Sequence, residues 1–178
     1  MIGKWDRWYA DLDAENPSAF RYGDTETYKI AADFLADCAE VEDWGCGAGG
    51  FKRFCKTRYI GVDGSHTPFA DKQVDLRYYK SSAEGVLLRH VLEHNYDWRM
   101  VLGNALETAT KKLCLILFTP AQPVTQEIAH NAAHGVDVPD LGFFLPDIER
   151  CFEQCAWSYH MLKTDTGYGM EHVYKIWK

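Results

Sequence analysis

A glycine-rich run follows an acidic pair in the first half of the chain, with one tryptophan between them. Residues 41–50 read Val-Glu-Asp-Trp-Gly-Cys-Gly-Ala-Gly-Gly, and Gly45, Gly47 and Gly50 have the spacing Gly-x-Gly-x-x-Gly. A strand that ends in such a run and turns into a helix brings bare backbone and a helix N-terminus up to a ligand. Dinucleotide-binding loops share this spacing, so the glycines alone leave the ligand open.

Two acids narrow the choice of ligand. Asp43 stands two residues before Gly45, at the mouth of the predicted loop. A carboxylate there repels a pyrophosphate but attracts the ammonium and sulfonium groups of S-adenosylmethionine. Asp63 follows 20 residues after Asp43, at the end of the short apolar segment 59–63. This spacing fits one β–α–β unit and places Asp63 at a ribose diol.

Four segments in this order resemble the class I S-adenosylmethionine-dependent methyltransferases. They are the glycine-rich segment 42–49 and the segments 61–65, 74–77 and 88–95. The last of these contains Val-Leu-Glu-His and is similar to the signature of one large branch of that family. The resemblance rests on the presence of all four segments in the order that is typical of the family.

The resemblance implies a binding site for S-adenosylmethionine. Gly45 and Gly47 then face the methionine portion, and Asp63 takes the ribose hydroxyls. Asp75 and the backbone of Leu76 lie at the adenine. Alternatively, the glycines form only a tight turn, and Asp75 is an ordinary turn residue. The full set of predicted cofactor-binding residues is Asp43, Gly45, Cys46, Gly47, Asp63, Gly64, Ser65, Asp75, Leu76 and Arg89.

His90 is the predicted catalytic base. It follows the segment 85–89, a predicted buried strand, and open α/β sheets bind ligands at the carboxyl ends of their strands. A neutral imidazole there accepts a proton from the methyl acceptor near pH 7. Alternatively, His90 packs beside the cofactor or bonds a backbone carbonyl. His94 ranks below His90 because such residues are often structural in this branch.

A second pair of histidines would form a metal site only if a carboxylate supplied a further ligand. The segment Val124–Ala133 has helical character, and on a helix there that continued to His134, His130 and His134 would lie one turn apart. With Glu127 or Asp137 they could ligate one metal ion. A solvated helix face is the ordinary explanation of such a pair, and we predict no metal.

Strands and helices alternate along the chain, which predicts a three-layer α/β fold. We expect one domain over residues 1–178, with a Rossmann-like sheet of about seven strands that is mostly parallel and ends in an antiparallel C-terminal hairpin. Helices are predicted from residue 25 or 27 to about 39, after the glycine loop, at 97–108 and from Pro146 to about 156. The predicted strands are 40–44, 59–63, 74–77, 85–89, 112–118, 157–164 and 171–177.

Two segments are predicted to lie beside the site. Residues 1–24 read as an N-terminal lid or arm, in which Trp5, Trp8 and Tyr9 either cover the acceptor pocket or simply pack on the sheet. Residues 120–145 are predicted to form an insertion that borders the acceptor site.

Composition limits the classes of partner. Nineteen basic and 26 acidic residues give a net charge of −7, which disfavours a nucleic-acid acceptor because nucleic-acid binding needs clustered Lys and Arg. The six cysteines have no Cys-x-x-Cys spacing and read as reduced thiols of a cytoplasmic protein. We expect no secretory signal and no membrane association. The sequence leaves the oligomeric state open.

The sequence therefore predicts a methyltransferase that uses S-adenosylmethionine and acts at an oxygen or nitrogen of a small molecule or sugar-like metabolite. Two alternatives stay open. One is a catalytically silent S-adenosylmethionine-binding module that acts through interaction. The other is an enzyme whose acceptor is a nucleic acid or a protein.

Overall fold

Seven strands form one sheet in the computed structural model, which describes residues 3–10, 12, 26–132 and 135–178. Two further strands form a separate antiparallel pair. In chain order the strands are β1 (Glu40–Trp44), β2 (Arg58–Asp63), β3 (Lys72–Gln73), β4 (Ala83–Arg89), β5 (Ala109–Leu117), β6 (Gln126–Asn131), β7 (Val138–Gly142), β8 (Ala156–Lys163) and β9 (Met170–Trp177).

The order of strands in the large sheet is β3-β2-β1-β4-β5-β9-β8. Strands β1 to β5 pair in parallel, whereas β9 runs antiparallel to both β5 and β8. The predicted parallel sheet with an antiparallel C-terminal hairpin is thus confirmed. The chain leaves β1 towards β2 and β3, then returns to place β4 on the other side of β1. Ligands bind at such a switch point, outside the carboxyl ends of the strands.

Helices cover both faces of the sheet. The described helices are α1 (Asp6–Tyr9), α2 (Glu26–Phe34), α3 (Trp98–Thr108) and α4 (Leu145–Glu149), and 3₁₀ turns span Phe51–Arg53, Leu92–His94 and Arg150–Phe152. Buried residues of α2 pack with Leu87 and Ile116 on one face, and α3 packs with Leu88 and Leu115 on the other. No helix in the described ranges is long and apolar enough to cross a membrane.

The helix predicted after the glycine loop is wrong. Gly49 and Gly50 lead into the single 3₁₀ turn Phe51–Arg53, and Arg58 already begins β2. Gly49 has a φ of 71°, and glycine has a low helix propensity. The few residues left before β2 cannot add enough turns to make an isolated helix stable.

The helix predicted over Val124–Ala133 is also wrong. Residues 126–131 form β6, which pairs antiparallel with β7, while residues 133 and 134 lie outside the described residues. Val138 and Leu141 of β7 are buried, whereas most of β6 is exposed. Pairing with a well-packed neighbouring strand therefore overrides a weak local preference for helix.

Three other predicted elements are displaced or shorter than expected. Helix α2 ends at Phe34 instead of at about residue 39. The third strand occupies Lys72–Gln73 instead of 74–77, because the amides of Tyr78 and Tyr79 both bond the carbonyl of Asp75 in a turn. Helix α4 ends at Glu149 and gives way to a 3₁₀ turn, since the chain must reach β8 at residue 156.

Glu42 fastens β1 to the segment that follows β3. Its side chain is buried, and its two oxygens accept hydrogen bonds from Lys72 (2.9 Å), Tyr79 (3.0 Å), Trp44 (2.8 Å) and Ser81 (2.8 Å). Burial alone would raise the pKa of Glu42, but the donors outweigh it and hold the pKa below its ordinary value. An ionised carboxylate therefore holds the strand on which the glycine loop begins.

Replacing Glu42 should destabilise the fold strongly. Glu42→Ala leaves four donors without their acceptor and is expected to lower the free energy of unfolding by about 3 kcal/mol. Because the folded-state pKa is depressed, this stabilisation is present above the unfolded pKa and is lost as pH falls through the folded one. Urea unfolding measures both effects.

Glu40 on the same strand provides the control. It pairs with the exposed Arg58 at 3.2 Å, and Glu40→Ala should cost less than about 1 kcal/mol. Equal losses for the two variants would contradict the anchoring role of Glu42.

Candidate functional site

The glycine loop turns sharply at the carboxyl end of β1. Gly45 and Gly47 have φ values of 75° and 49°, in the left-handed region that glycine adopts without penalty. The amides of Gly45 and Cys46 donate to the carbonyl of Val62 at 2.7 and 3.2 Å. A Cβ on Gly45 would lie 2.5 Å from Val91 after β4. The loop is therefore wedged between the ends of β2 and β4.

Asp63 joins the end of β2 to this loop. Its carboxylate accepts the amide of Gly47 at 2.9 Å and the amide of Ser65 at 2.7 Å. Burial raises the pKa of Asp63, and these backbone donors oppose the shift. Each carboxylate oxygen keeps a second lone pair, so a ribose hydroxyl can still donate to it.

Asp43 lies buried on β1, directly before the loop. Its only described hydrogen bond comes from the hydroxyl of Tyr59 at 3.1 Å. Burial raises the pKa of Asp43 to about 7, although Tyr59 opposes the shift. The same burial raises the pKa of the Cys46 thiol, which leaves that thiol protonated and unreactive. A ligand cation near Asp43 would favour the carboxylate form.

The predicted adenine residues differ in their surroundings. Asp75 follows β3 at the same edge of the sheet, where the amide of Val74 donates to the carbonyl of Asp63 at 2.8 Å. Arg77 binds Asp75 through two nitrogens at 3.0 and 2.7 Å and holds the pKa of Asp75 well below its ordinary value. Leu76 is buried in the core cluster on the α3 face.

Arg89, a predicted cofactor residue, makes protein contacts instead in this structure. Its guanidinium lies 2.9 Å from Glu171 on β9, donates to Thr27 of α2 at 3.0 Å and stacks on Tyr28 with 4.1 Å to the ring centroid. Thr27, one of the two predicted starting points of this helix, lies within α2 and donates to Glu171 at 2.9 Å. Arg89 thus ties β4 to α2 and β9.

His90 stands at the carboxyl end of β4 with an unusual backbone. Its φ is 57°, the one positive value that a described non-glycine residue adopts. The Nε2 atom lies 2.7 Å from Glu171, and the side chain is 6% exposed. The last paired residues, Trp44 and Leu88, put His90 and the glycine loop at the same edge of adjacent strands.

The sequence predicts an imidazole that titrates near neutral pH, and the structure corrects this. Burial and the neighbouring Arg89 lower the pKa of His90 to about 3, and Glu171 only partly opposes them. His90 is therefore neutral throughout the physiological range. A rate that does not change between about pH 5 and about pH 8 is compatible with His90 as a base.

His94 serves the packing of the insertion. Its Nδ1 lies 3.0 Å from the carbonyl of Pro139 and 3.2 Å from the carboxylate of Asp140, both on β7. Tyr168, in the loop between β8 and β9, donates to the other oxygen of Asp140 at 3.0 Å. The β6–β7 pair is thus fixed to the carboxyl edge of the sheet.

Five rings at this edge form what we term the ring cluster: Trp5, His90, His94, Phe118 and Tyr168. Phe118 lies at its centre, with ring centroids 4.7 Å from His90, 5.5 Å from His94 and 5.7 Å from Tyr168. Trp5 adds a further ring 5.1 Å from His94. The cluster lies on the His90 side of the glycine loop.

The N-terminal segment 3–9 bonds to the loop after β2. The amide of Gly3 donates to the carbonyl of Gly64 at 2.9 Å, and the amide of Trp5 donates to the hydroxyl of Ser65 at 2.8 Å. Gly64 and Ser65, both predicted cofactor residues, are therefore engaged by the segment in this structure.

The same segment reaches the loop after β4 and the glycine loop. Lys4 donates to the carbonyl of His94 at 2.8 Å. Tyr9 is buried, and a Cβ on Gly47 would lie 2.8 Å from its hydroxyl. Segment 3–9 therefore crosses the switch point from β2 to β4. The rest of the predicted 1–24 arm lies almost entirely outside the described residues.

The alternative metal site gains no support. His130 lies on β6, where Glu127 and Asp137 contact its two nitrogens at 2.8 and 2.6 Å. In the part of the chain that the structure describes, no group of three or more His, Cys, Asp or Glu residues could hold a metal ion. His134 lies outside that part.

Comparison with solved structures identifies the architecture. In sequence, no protein-family model and no curated protein matches the chain. In structure, it is similar to the 1,6-didemethyltoxoflavin-N1-methyltransferase of Burkholderia thailandensis, with a TM-score of 0.65 and 14% identity over 96% of this chain and 80% of that one. The chain has the class I methyltransferase fold.

Other similar structures have the same architecture. The magnesium protoporphyrin IX methyltransferase of Synechocystis PCC 6803, with bound S-adenosylhomocysteine, gives a TM-score of 0.62 and 15% identity over 98% of this chain and 94% of that one. The N-terminal domain of EvdMO1 gives 0.59 and 11% identity over 97% of each chain. Identities this low establish the fold alone, and the Val-Leu-Glu-His branch stays a prediction.

The raised pKa of Asp43 predicts a stability that depends on pH. With a folded pKa of about 7 and an unfolded pKa of about 3.9, the folded state holds the extra proton between these values, so stability falls as pH rises. Asp43→Asn still accepts from Tyr59 but carries no charge. Its advantage over the wild type should grow by about 2–3 kcal/mol between about pH 5 and about pH 8.

Urea unfolding at the two pH values checks this expectation. Tyr59→Phe, which removes the hydrogen bond that opposes the shift, should move the Asp43 titration to still higher pH, as followed by carboxyl carbon NMR. A stability difference between Asp43→Asn and wild type that does not change with pH would show that Asp43 is ionised in the folded protein.

Proposed function

We propose that this protein is an S-adenosylmethionine-dependent methyltransferase that acts at an oxygen or nitrogen of a small molecule or sugar-like metabolite. The observation that carries the proposal is the bond between the Asp63 carboxylate and the Gly47 amide. It holds the loop after β1 and the acid after β2 together at the switch point of the sheet. S-adenosylmethionine, when bound there, supplies a methyl group on a sulfonium centre that an acceptor lone pair displaces.

The residues at the switch point fit this cofactor. Gly45 and Gly47 put no side chain between the loop backbone and the methionine portion, and Tyr9 of segment 3–9 lies against Gly47. Asp63 has lone pairs for the ribose hydroxyls. Asp75 lies at the adenine end. Asp43, with its single described hydrogen bond, attracts the ammonium group directly or through water.

The glycine loop is poorly suited to a dinucleotide. Pyrophosphate binding in such folds uses the N-terminus of the α-helix that follows the loop. Here the loop is followed by the three-residue 3₁₀ turn Phe51–Arg53, and two buried carboxylates, Asp43 and Asp63, flank it. This arrangement favours a ligand with positive charge over one with a pyrophosphate.

The acceptor side supports a small molecule. The ring cluster is aromatic, and Lys4, the cation beside it, is already bonded to the carbonyl of His94 and to Asn95. Aromatic rings stack on planar ligands or on the apolar faces of sugar rings. A nucleic acid needs cationic contacts to its phosphates, and the net charge of −7 gives no general attraction.

Segment 3–9 acts as the lid of the cofactor site. Its bonds to Gly64, Ser65 and His94 bridge the two strand ends between which the cofactor lies. Closure over that groove excludes water from the reacting groups, and the segment opens when the cofactor exchanges.

His90 acts as the base. It takes the proton that a hydroxyl or amino acceptor loses when the methyl group is transferred, and it is neutral at physiological pH. Holding donor and acceptor in line supplies the remainder of the rate enhancement.

Calorimetric titration tests the cofactor. The wild type should bind S-adenosylmethionine and S-adenosylhomocysteine and should not prefer NAD. Asp63→Ala should weaken binding by on the order of 1.5–3 kcal/mol, because a charge-assisted bond to the ribose is lost.

Asp71→Ala is the matched control for this titration. Asp71 also accepts a backbone amide, that of Gly61 at 2.7 Å, but has no proposed ligand. Its loss should leave the affinity unchanged. A preference for NAD, or equal affinities of the two folded variants, would refute the cofactor assignment.

An acceptor screen tests the reaction. Hydroxylated and aminated small molecules are incubated with S-adenosylmethionine, and S-adenosylhomocysteine is detected by mass spectrometry. His90→Ala should lower turnover by roughly 10²–10⁴ and leave cofactor affinity nearly intact. His160→Ala, on the outer strand β8, should match the wild type.

Each other outcome favours a named alternative. Cofactor binding without turnover of any acceptor indicates a silent binding module. Turnover only with RNA, DNA or protein indicates a macromolecular acceptor. A large loss of cofactor affinity in His90→Ala with an unchanged rate makes His90 a wall of the cofactor site.

A further inference from the structure

Glu171 reaches the reactive edge of the sheet from the last strand. Because β9 runs antiparallel to β5, its first residues lie at the carboxyl end of β5, where His172 pairs with Leu117. Glu171 lies one residue beyond that pair. Its carboxylate projects towards α2, on the same face as Arg89.

The two oxygens of the Glu171 carboxylate have different surroundings. The Oε1 atom accepts from Thr27 at 2.9 Å and contacts Arg89 at 2.9 Å and the Nε2 of His90 at 2.7 Å, and the side chain has no exposed surface. The Oε2 atom is buried and has no hydrogen-bond partner among the described residues. All the described partners of the carboxylate, His90 among them, therefore meet at Oε1.

The contact with Glu171 determines which nitrogen of His90 carries the proton. Burial raises the pKa of Glu171, but His90 and Arg89 outweigh it, and the pKa stays below its ordinary value. An ionised carboxylate only accepts hydrogen bonds, so the Nε2 of His90 must be the N–H donor. The Nδ1 atom then carries the lone pair, and no described residue forms a hydrogen bond with it.

The backbone conformation of His90 is unfavourable, so contacts with the surrounding structure must hold the residue in place. A left-handed φ of 57° is sterically unfavourable at a residue that carries a Cβ. Such conformations persist where the surrounding structure enforces them and cluster at functional sites. Here two contacts hold His90 in place: the buried contact with Glu171, and the Phe118 ring, whose centroid lies 4.7 Å from that of His90.

We propose that Glu171 is a positioning residue that holds His90 in the tautomer with a free Nδ1 lone pair, so that the two form a carboxylate–imidazole dyad across β4 and β9. The inference rests on the proposed function and specifies how its base is prepared. Arg89 belongs to the same device, because its guanidinium keeps the buried Glu171 ionised.

With this dyad, transfer of the methyl group is accompanied by transfer of one proton to His90. The acceptor lone pair forms the new bond to the methyl carbon, and the bond from that carbon to the sulfonium sulfur breaks with its electron pair going to sulfur. The proton of the acceptor moves to Nδ1 of His90. Glu171, through Nε2–H, offsets part of the cost that burial and Arg89 place on the imidazolium so formed, and the imidazolium releases its proton to solvent.

The tautomer can be measured without any acceptor. Histidine side-chain ¹⁵N–¹H correlation spectra of the wild type near pH 7 distinguish a protonated from an unprotonated ring nitrogen, and His90→Gln assigns the resonance. We expect Nε2 to be protonated and Nδ1 to be unprotonated. A His90 protonated on Nδ1, or on both nitrogens, overturns the proposal.

A double-mutant cycle tests the dyad in turnover. Glu171→Gln keeps an oxygen acceptor for His90, Arg89 and Thr27 but removes the charge. It should lower kcat by roughly 10–100-fold, with the KM of the acceptor and the affinity for S-adenosylmethionine unchanged. In the His90→Ala background the same change should have no further effect on kcat, because the base is already gone.

Glu149→Gln is the matched control, because Glu149 also bonds β9, through the hydroxyl of Tyr174 at 3.0 Å, but on the other face. It should match the wild type. An equal loss of kcat from Glu171→Gln in both backgrounds, or no loss in either, overturns the dyad while methyl transfer itself stands. Failure to bind S-adenosylmethionine refutes the proposed function separately, and the tautomer measurement still decides whether Glu171 positions His90.

Discussion

The bond from the Gly47 amide to the Asp63 carboxylate is the constraint on which the candidate site depends. The glycine loop has no α-helix behind it to fix its course, so its position rests on the strand ends around it. Asp63 supplies the fixed point, since its second oxygen also holds the amide of Ser65. The carboxyl ends of β1 and β2 therefore share one acid, and segment 3–9 bonds to the loop that follows β2.

Buried carboxylates at this end of the sheet divide into two groups by how completely the protein satisfies them. Glu42 and Asp63 each have donors on both oxygens. Asp43 has a single described hydrogen bond, and Glu171 has a buried oxygen with no described partner. Glu93, which follows β4, also has a buried oxygen with no described partner. An unsatisfied buried carboxylate is costly, and Asp43 and Glu171 are the two of these positions for which we propose a role. Asp43 flanks the proposed cofactor site, and Glu171 contacts the proposed base.

Local patterns were sufficient for part of the prediction and insufficient for the rest. The strand before the glycine loop, the strand before His90 and the C-terminal hairpin were predictable because apolar runs and turn residues mark them directly. The β6–β7 pair was not, because its stability comes from burial of β7 and not from the composition of β6. Glu171 was missed for a related reason: 81 residues separate it from His90, and only the strand order brings the two together.

The C-terminal hairpin therefore completes the sheet and also supplies residues to the candidate site. A strand that enters antiparallel beside β5 begins at the carboxyl edge, so the loop before it and its first residues both lie at the candidate site. The loop supplies Tyr168 to the ring cluster, and the strand supplies Glu171. Side chains alternate between faces along a strand, so a register shift of one residue would turn Glu171 to the α3 face and put a neighbour of different chemistry beside Arg89. The pairing of β5 with β9 thus sets the chemistry at His90 as well as the packing of the sheet.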